Sequence, residues 1–229
     1  MNNAPVLDER LSLLAGLVRQ NTVAADIGAD HGQLITWLVA RGVCTRGYSC
    51  DINEKPLLHS RATARRFGVE DKISFVLSDG LEKLDENAVD DVIIAGMGGD
   101  LIAEILERGH WHSGKHSFIL QPMTRPDELR RQLCLGGYSI TAEHAAQANG
   151  FCYSAILAHY IGKPLPCTPL FAAVGLLPQE GTATANEYIK RRAAKVQKKL
   201  LGLKAAKNRT EDTAALEALY AEIMAALQE

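Results

Sequence analysis

Apolar residues at Leu7, Leu11, Leu14 and Val18 recur at helical spacing, so residues 8–19 are predicted to form an amphipathic helix. From Val23 onward short apolar runs alternate with helical patterns. The runs Val23–Ile27, Tyr48–Ile52, Ile73–Leu77, Asp91–Ala95 and Phe118–Gln121 read as strands. Between and after them, Gln33–Val39, Glu54–Phe67, Leu101–Leu106 and Asp127–Leu135 carry helical spacing, and Gly68, Gly109 and Gly136-Gly137 close three of these helices. This alternation predicts a parallel sheet with helices on both faces. After Gly137 the order changes. Tyr138–Ala146 and Phe151–Ile161 are two long strands in succession, and Asn149-Gly150 between them is a hairpin turn signal.

The stretch Pro164–Gly181 is rich in proline, glycine and small residues, and reads as a connecting segment able to pack on the domain before it. Thr184 and Glu187 have the spacing of a capping box. Ile189, Ala193, Val196, Leu200 and Leu203 then form an apolar stripe, Asn208 breaks it, and Thr210 with Glu211 and Asp212 can start a second helix striped by Leu216, Leu219, Ile223 and Leu227. Two such helices joined by a short break should pair antiparallel. The expected division is a catalytic unit over 1–163, a connector over 164–182 and a two-helix coiled coil over 183–229.

The chain has 229 residues and no apolar run long enough to cross a membrane. Its first residues lack a basic segment followed by an apolar one, so secretion is not expected. Cys44, Cys50, Cys134, Cys152 and Cys167 are odd in number and form no C-x-x-C pair, which suits a reducing cytoplasm. Formal net charge is −2, but residues 183–210 hold nine basic side chains and one acid, leaving about −10 on the remainder. Such segregation points to a polyanionic partner.

Candidate chemistry begins at 23-VAADIGADHGQL-34. A dinucleotide site would place G-x-G-x-x-G at this first turn, so that backbone amides meet a pyrophosphate. Here Asp30 stands where the middle glycine would be. A carboxylate there repels phosphate and attracts a cation, which disfavours a nicotinamide-dependent oxidoreductase. S-adenosylmethionine carries an ammonium and a sulfonium and no phosphate, and so fits the turn. Asp51, ending the second strand, is placed to accept ribose hydroxyls. Asp79, ending the third, is placed to accept from an adenine amino group, with Gly80 leaving room for the ring. Capping turns and helices is the ordinary role of such aspartates, but three acids at successive strand ends exceed it. The fourth strand runs into Gly96-Met97-Gly98-Gly99, where glycines allow close approach of a ring and leave carbonyls free. One glycine would suffice for a simple turn.

The motifs DIGADHG, CDINEKPL, LSDGL, IAGMGGDLI and ILQPM, in this order and spacing, resemble the bacterial TrmK family of tRNA (adenine(22)-N(1))-methyltransferases. The resemblance extends over nearly the whole chain. It implies an α/β fold, a Rossmann-like seven-stranded class I methyltransferase sheet with a small C-terminal coiled coil. It also implies S-adenosylmethionine as cofactor and tRNA as substrate, methylated at N1 of an adenosine. Under it Asp26, Gly28, Asp30, His31, Gly32, Asp51, Asn53, Asp79, Gly80 and Gly96 line the cofactor site. Asp30, Gly96, Met97, Gln121 and Pro122 face the reacting groups. The sequence departs from the family pattern at Gly32-Gln33, where Ala-Tyr is common, at Met123, where a polar residue is expected, and at Ser154, where an acid is usual.

The basic helix is either a solvated face, partly neutralised by Glu211, Asp212, Glu217, Glu222 and Glu229 of its partner helix, or it offers Lys190, Arg191, Arg192, Lys195, Lys198 and Lys199 to RNA phosphates. Tyr153 near the hairpin is either core or a base-stacking ring. His110, His112 and His116 fall on a loop at the sheet edge opposite the active site, so no metal is expected. Cys50 lacks the Pro-Cys loop of a nucleophile and reads as a buried strand thiol. N1 of adenine carries a free lone pair, so neither metal nor nucleophilic cysteine is required. Methylation of another nitrogen or of a small molecule, and a non-catalytic RNA-binding role, stand as alternatives. The chain is expected to act as a monomer.

Overall fold

The structure, a computed structural model, describes residues 4–205 and 211–227. The expected break at Asn208 and restart at Thr210 lie outside the described residues. Seven strands, β1 (Thr22–Ile27), β2 (Cys44–Asp51), β3 (Ile73–Leu77), β4 (Asp91–Gly98), β5 (Ser117–Thr124), β6 (Tyr138–Ala148) and β7 (Phe151–Tyr160), form one sheet in the order β3-β2-β1-β4-β5-β7-β6. The first five pair in parallel, and β7 runs antiparallel to both β5 and β6. Asn149 and Gly150 at the β6–β7 turn both have positive φ, 51° and 77°, as a tight hairpin requires.

Helices α1 (Glu9–Leu17), α2 (Gln33–Ala40), α3 (Glu54–Arg66), α4 (Gly99–Gly109) and α5 (Pro126–Leu135) cover the sheet. Asp8 starts α1 by accepting the Leu11 N–H at 2.7 Å. On one face Leu14, Leu34, Ile35 and Leu38 bury against Ile93 and Ile119, and on the other Ile102, Ile105 and Leu129 bury against Val92, Ile94 and Phe118. Alternate residues of the same strands thus feed two cores, which is why β4 reads as a continuous apolar run.

Several boundaries differ from expectation. β4 and β5 run on past Ala95 and Gln121, because the two strands keep pairing through register shifts around Met97. Thr184 does not cap the long basic helix. The helix α7 (Ala183–Ala205) starts earlier, and Thr182 accepts the Ala185 N–H at 3.1 Å, while Glu187 pairs with Arg191 one turn along.

The segment 164–182 is folded and partly core. It holds α6 (Pro169–Val174) and a 3-10 turn at Leu177–Gln179. Ala173, Val174 and Leu177 bury against Ala185, Tyr188 and Ile189 of α7 and Ile223 of α8 (Glu211–Ala225). Lys204 near the end of α7 meets Glu217 in the first half of α8 at 2.6 Å, consistent with antiparallel pairing. A wholly buried ion pair joins these layers. The Arg130 Nε lies 3.2 Å from both carboxylate oxygens of Glu143. Arg130 also donates to the Ala172 carbonyl at 2.8 Å and to the Tyr188 hydroxyl at 3.2 Å. Ser154 sits buried beside this guanidinium. Glu143 on the neighbouring strand supplies the counter-charge.

Candidate functional site

Strand order reverses between β1 and β4, and the crevice above their carboxyl ends is where a doubly wound sheet binds ligands. The first turn is pinned there by the Gly28 and Ala29 amides, which donate to the Cys50 carbonyl at 2.8 and 3.1 Å. Gly28 (φ 75°) and Gly32 (φ 60°) lie in the left-handed region. A Cβ on Gly28 would lie 2.2 Å from Met97 Cε, and one on Gly32 1.9 Å from Ser60 Oγ. Met97 therefore buttresses the turn from behind.

A cavity of about 430 Å³ opens at this point. Of the expected residues it is lined by Asp26, Gly28, Asp30, His31, Gly32 and Gly96. Asp26 is buried, and loss of hydration raises its pKa to about 7, with Arg10 and the Ile35 amide pulling the other way. Asp30 is its opposite, with a side chain 71% exposed at the mouth of the cavity and 3.4 Å from His31. The His31 ring stacks on His59 at 5.3 Å. Ligand atoms of Asp30, His31 and His59 lie within 4.8 Å of one another, all on exposed side chains.

Gln121 is buried beneath the site rather than facing it. Its Oε1 accepts from Arg10 at 2.8 Å and from the Gly96 amide at 3.2 Å, and its Nε2 donates to the Pro122 carbonyl at 3.1 Å. It ties α1, β4 and β5 together. Gly96 (φ 79°) has open space where a Cβ would be. The other two glycines have packing roles. A Cβ on Gly99 would lie 2.4 Å from the Arg125 carbonyl oxygen, and one on Gly98 3.2 Å from Thr124 Oγ1.

Asp51, Asn53, Asp79 and Gly80 lie at the ends of β2 and β3, outside the lining of this cavity. Asp51 accepts the Asn53 amide at 2.8 Å. Asp79 is committed to Arg108 through two hydrogen bonds of 2.8 and 3.0 Å, which hold its carboxyl below the usual range. Gly80 (φ 59°) lies against Ile105. Sequence reading missed Asp8 and Arg10 of α1 and the hairpin residues Ala148 and Asn149, all of which wall the cavity. Asp8 carried a local signal as a helix cap, but nothing local places the hairpin there.

Next to this cavity lies a groove of about 800 Å³ between the catalytic sheet and α7. Arg125, Arg131, Arg191, Arg192, Lys195 and Lys199 line it, with Asp127 the only acid among the described residues. Arg192 pairs with Asp127 at 3.1 Å, and Arg191 with Glu187. Lys195 and Lys199 are exposed with no carboxylate partner among the described residues. Lys190 and Lys198 are exposed but do not line the groove. Met123 and Tyr153 line both cavity and groove.

His110, His112 and His116 do not converge. His112 stacks on Tyr160 at 4.4 Å, and buried His116 lies 3.2 Å from Glu86. Burial drives the Cys50 thiol pKa far up, so it is no nucleophile. No described helix is long and apolar enough to cross a membrane.

Residues 7–156 match the family described as "Methyltransferase domain". The tRNA (adenine(22)-N(1))-methyltransferase of Bacillus subtilis is 33% identical over 153 residues, which span 66% of this chain and 64% of that protein. The crystal structure of the B. subtilis m1A22 tRNA methyltransferase TrmK superposes with a TM-score of 0.81 at 28% identity, covering 97% of each chain. A Streptococcus pneumoniae protein crystallised with S-adenosyl-L-methionine superposes with a TM-score of 0.83 at 27% identity, covering 97% of this chain and all of that one.

Proposed function

Because the chain belongs to the methyltransferase-domain family and, within it, to the TrmK group, we propose that it transfers the methyl group of S-adenosylmethionine to N1 of adenosine 22 in tRNA. One observation carries this reading. An acid-lined cavity at the β1/β4 switch point opens, past Met123 and Tyr153, into a groove lined by six basic residues. A cationic nucleoside suits the first and a nucleic-acid backbone the second.

The cavity's volume lies within the roughly 300–1,000 Å³ of small-molecule sites, and its donor set fits the methyl donor. Asp26 is a buried carboxyl beside the glycine turn, suited to an ammonium. Asp30 places negative charge at the mouth. Asp51 and Asn53 are assigned to the ribose, and Asp79 with Gly80 to the adenine ring, which requires Asp79 to share its carboxylate with Arg108. When bound, the cofactor supplies an electrophilic methyl on a positively charged sulfur.

The chain's residues align and stabilise. N1 attacks through its own lone pair, so no residue need remove a proton first. Positive charge moves from sulfur to the target ring, and fixed oxygens nearby lower the cost. We assign this to the Asp30 carboxylate and to the backbone carbonyls of Gly96 and Met97. Gln121 holds the Gly96 turn, and Pro122 shapes the adjoining wall. Because N1 is on the Watson–Crick edge, any pairing of the target must open first.

Lys195 and Lys199, with Arg191 and Arg192, are assigned to tRNA phosphates at the groove. Lys190 and Lys198 are assigned to phosphates beyond it. We also expect the chain to act as a monomer in the cytoplasm, where five unpaired thiols would stay reduced. The test is incubation with bulk tRNA and isotopically labelled methyl donor, followed by nucleoside chromatography. Label in 1-methyladenosine supports the reading, and none in any nucleoside overturns it.

A further inference from the structure

We propose that Tyr153 is the aromatic face on which the target adenine stacks, with Met123 as its opposite wall. This inference rests on the tRNA reading above and adds the residues that hold the base. A base presenting N1 to the cofactor must leave its own stack, and the enzyme must replace the lost π contact. The replacement has to sit where groove and cavity meet. Among the described residues only Met123 and Tyr153 line both.

The other aromatic rings at the site are unsuited. The His31 ring is already stacked on His59. Tyr188 is buried, with its hydroxyl bonded to Arg130. Phe151 is 63% exposed and lines only the groove. Position 33, at the first turn, holds glutamine. Tyr153 is half-buried, paired across the sheet with Ala146, and its ring lies 6.3 Å from that of Phe151. That places a fixed ring at the aperture with a second ring beyond it.

Met123 is 44% exposed, and its sulfur lies 3.5 Å from Gln121 Nε2. The buried amide that holds the Gly96 turn therefore also steadies the thioether. A polarisable sulfur is a favourable apolar partner for an aromatic base. This accounts for an exposed apolar side chain at the aperture.

The experiment compares Tyr153→Phe, Tyr153→Leu and Tyr153→Ile with wild type. It measures kcat and KM for a tRNA transcript, cofactor Kd by calorimetry, and folding by circular dichroism. Loss of a base stack should lower kcat/KM about tenfold to a hundredfold. Tyr153→Phe should stay within about twofold of wild type, and cofactor Kd should be unchanged in all three. Ile suits a strand better than Leu, so it serves if the Leu variant does not fold. Wild-type kcat/KM in a folded Leu or Ile variant overturns the proposal, as does an equal fall in the Phe variant or a parallel loss of cofactor affinity. If wild type itself makes no 1-methyladenosine, the functional reading fails first, and the two failures are distinguishable.

Discussion

Arg191 on α7 donates a hydrogen bond of 2.9 Å to the carbonyl of Gly150 in the β6–β7 turn. Ala148 and Asn149, just before that carbonyl, wall the acidic cavity. The basic helix is therefore tied to the turn that walls this cavity, and its cations divide into two kinds. Arg191→Gln should raise cofactor Kd severalfold by loosening the turn, since an exposed hydrogen bond is worth about 0.5–1.5 kcal/mol. Calorimetry checks this, and a Kd equal to wild type would show that the turn holds its place alone.

Lys195→Gln with Lys199→Gln should do the reverse. Neither side chain has a carboxylate partner among the described residues, and glutamine keeps helix propensity. The double variant should leave cofactor Kd unchanged and weaken tRNA binding. Its log–log salt slope should fall by about one unit per lost phosphate contact. Binding across a salt series measures it. Deleting the whole tail is the poorer experiment, because Tyr188 and Ile189 are buried against the folded connector.

Asp26 ties cofactor affinity to pH. In the free fold it holds its proton up to about 7, against 3.8 when unperturbed. The native state therefore binds more protons in this window. The stability Asp26 contributes is complete below about pH 3.8 and is lost as pH rises towards 7. Asp26→Asn should thus gain stability relative to wild type as denaturation midpoints are compared from low to neutral pH. An ammonium bound beside Asp26 favours the ionised form. Cofactor affinity should rise through the same window, with proton release detectable in buffers of differing ionisation enthalpy. A flat pH profile for wild type would remove Asp26 from ammonium binding.

Arg130 and Glu143 are both without solvent exposure and hold α5, β6, α6 and α7 together. Removing one member leaves the other charge buried and alone. Glu143→Gln should cost about 3–5 kcal/mol by denaturant unfolding. Gly175 is bound to the same feature, since a Cβ there would lie 1.7 Å from the Glu143 carboxylate. A cost under about 1 kcal/mol for Glu143→Gln would mean that water reaches the pair.

The alternation of short apolar runs with helical stripes carried the sheet, because each βα unit writes its own period into the chain. Asn149-Gly150 marked the antiparallel end for the same local reason. What failed was whatever depends on a distant partner. Thr184 had capping chemistry, but the helix began two residues earlier, where Thr182 could serve. Gly98 and Gly99 looked like ligand room and are small because β5 returns beside them. Asp79 reads as a free acid locally, and its pairing with Arg108, 29 residues away, is visible only in the fold. Of the cavity, the half built on the first turn and Gly96 was legible. The half built by α1 and the hairpin was not, since only the closed sheet brings them together.

The central claim is tested most directly on two tRNA transcripts, one with adenosine and one with guanosine at position 22. Each is incubated with the protein and labelled S-adenosylmethionine, digested, and mapped by mass. The account predicts one added methyl on the adenosine transcript, in the fragment containing position 22 and recovered as 1-methyladenosine, and none on the guanosine transcript. Label in N6-methyladenosine, label retained by the guanosine transcript, or no transfer at all would contradict it.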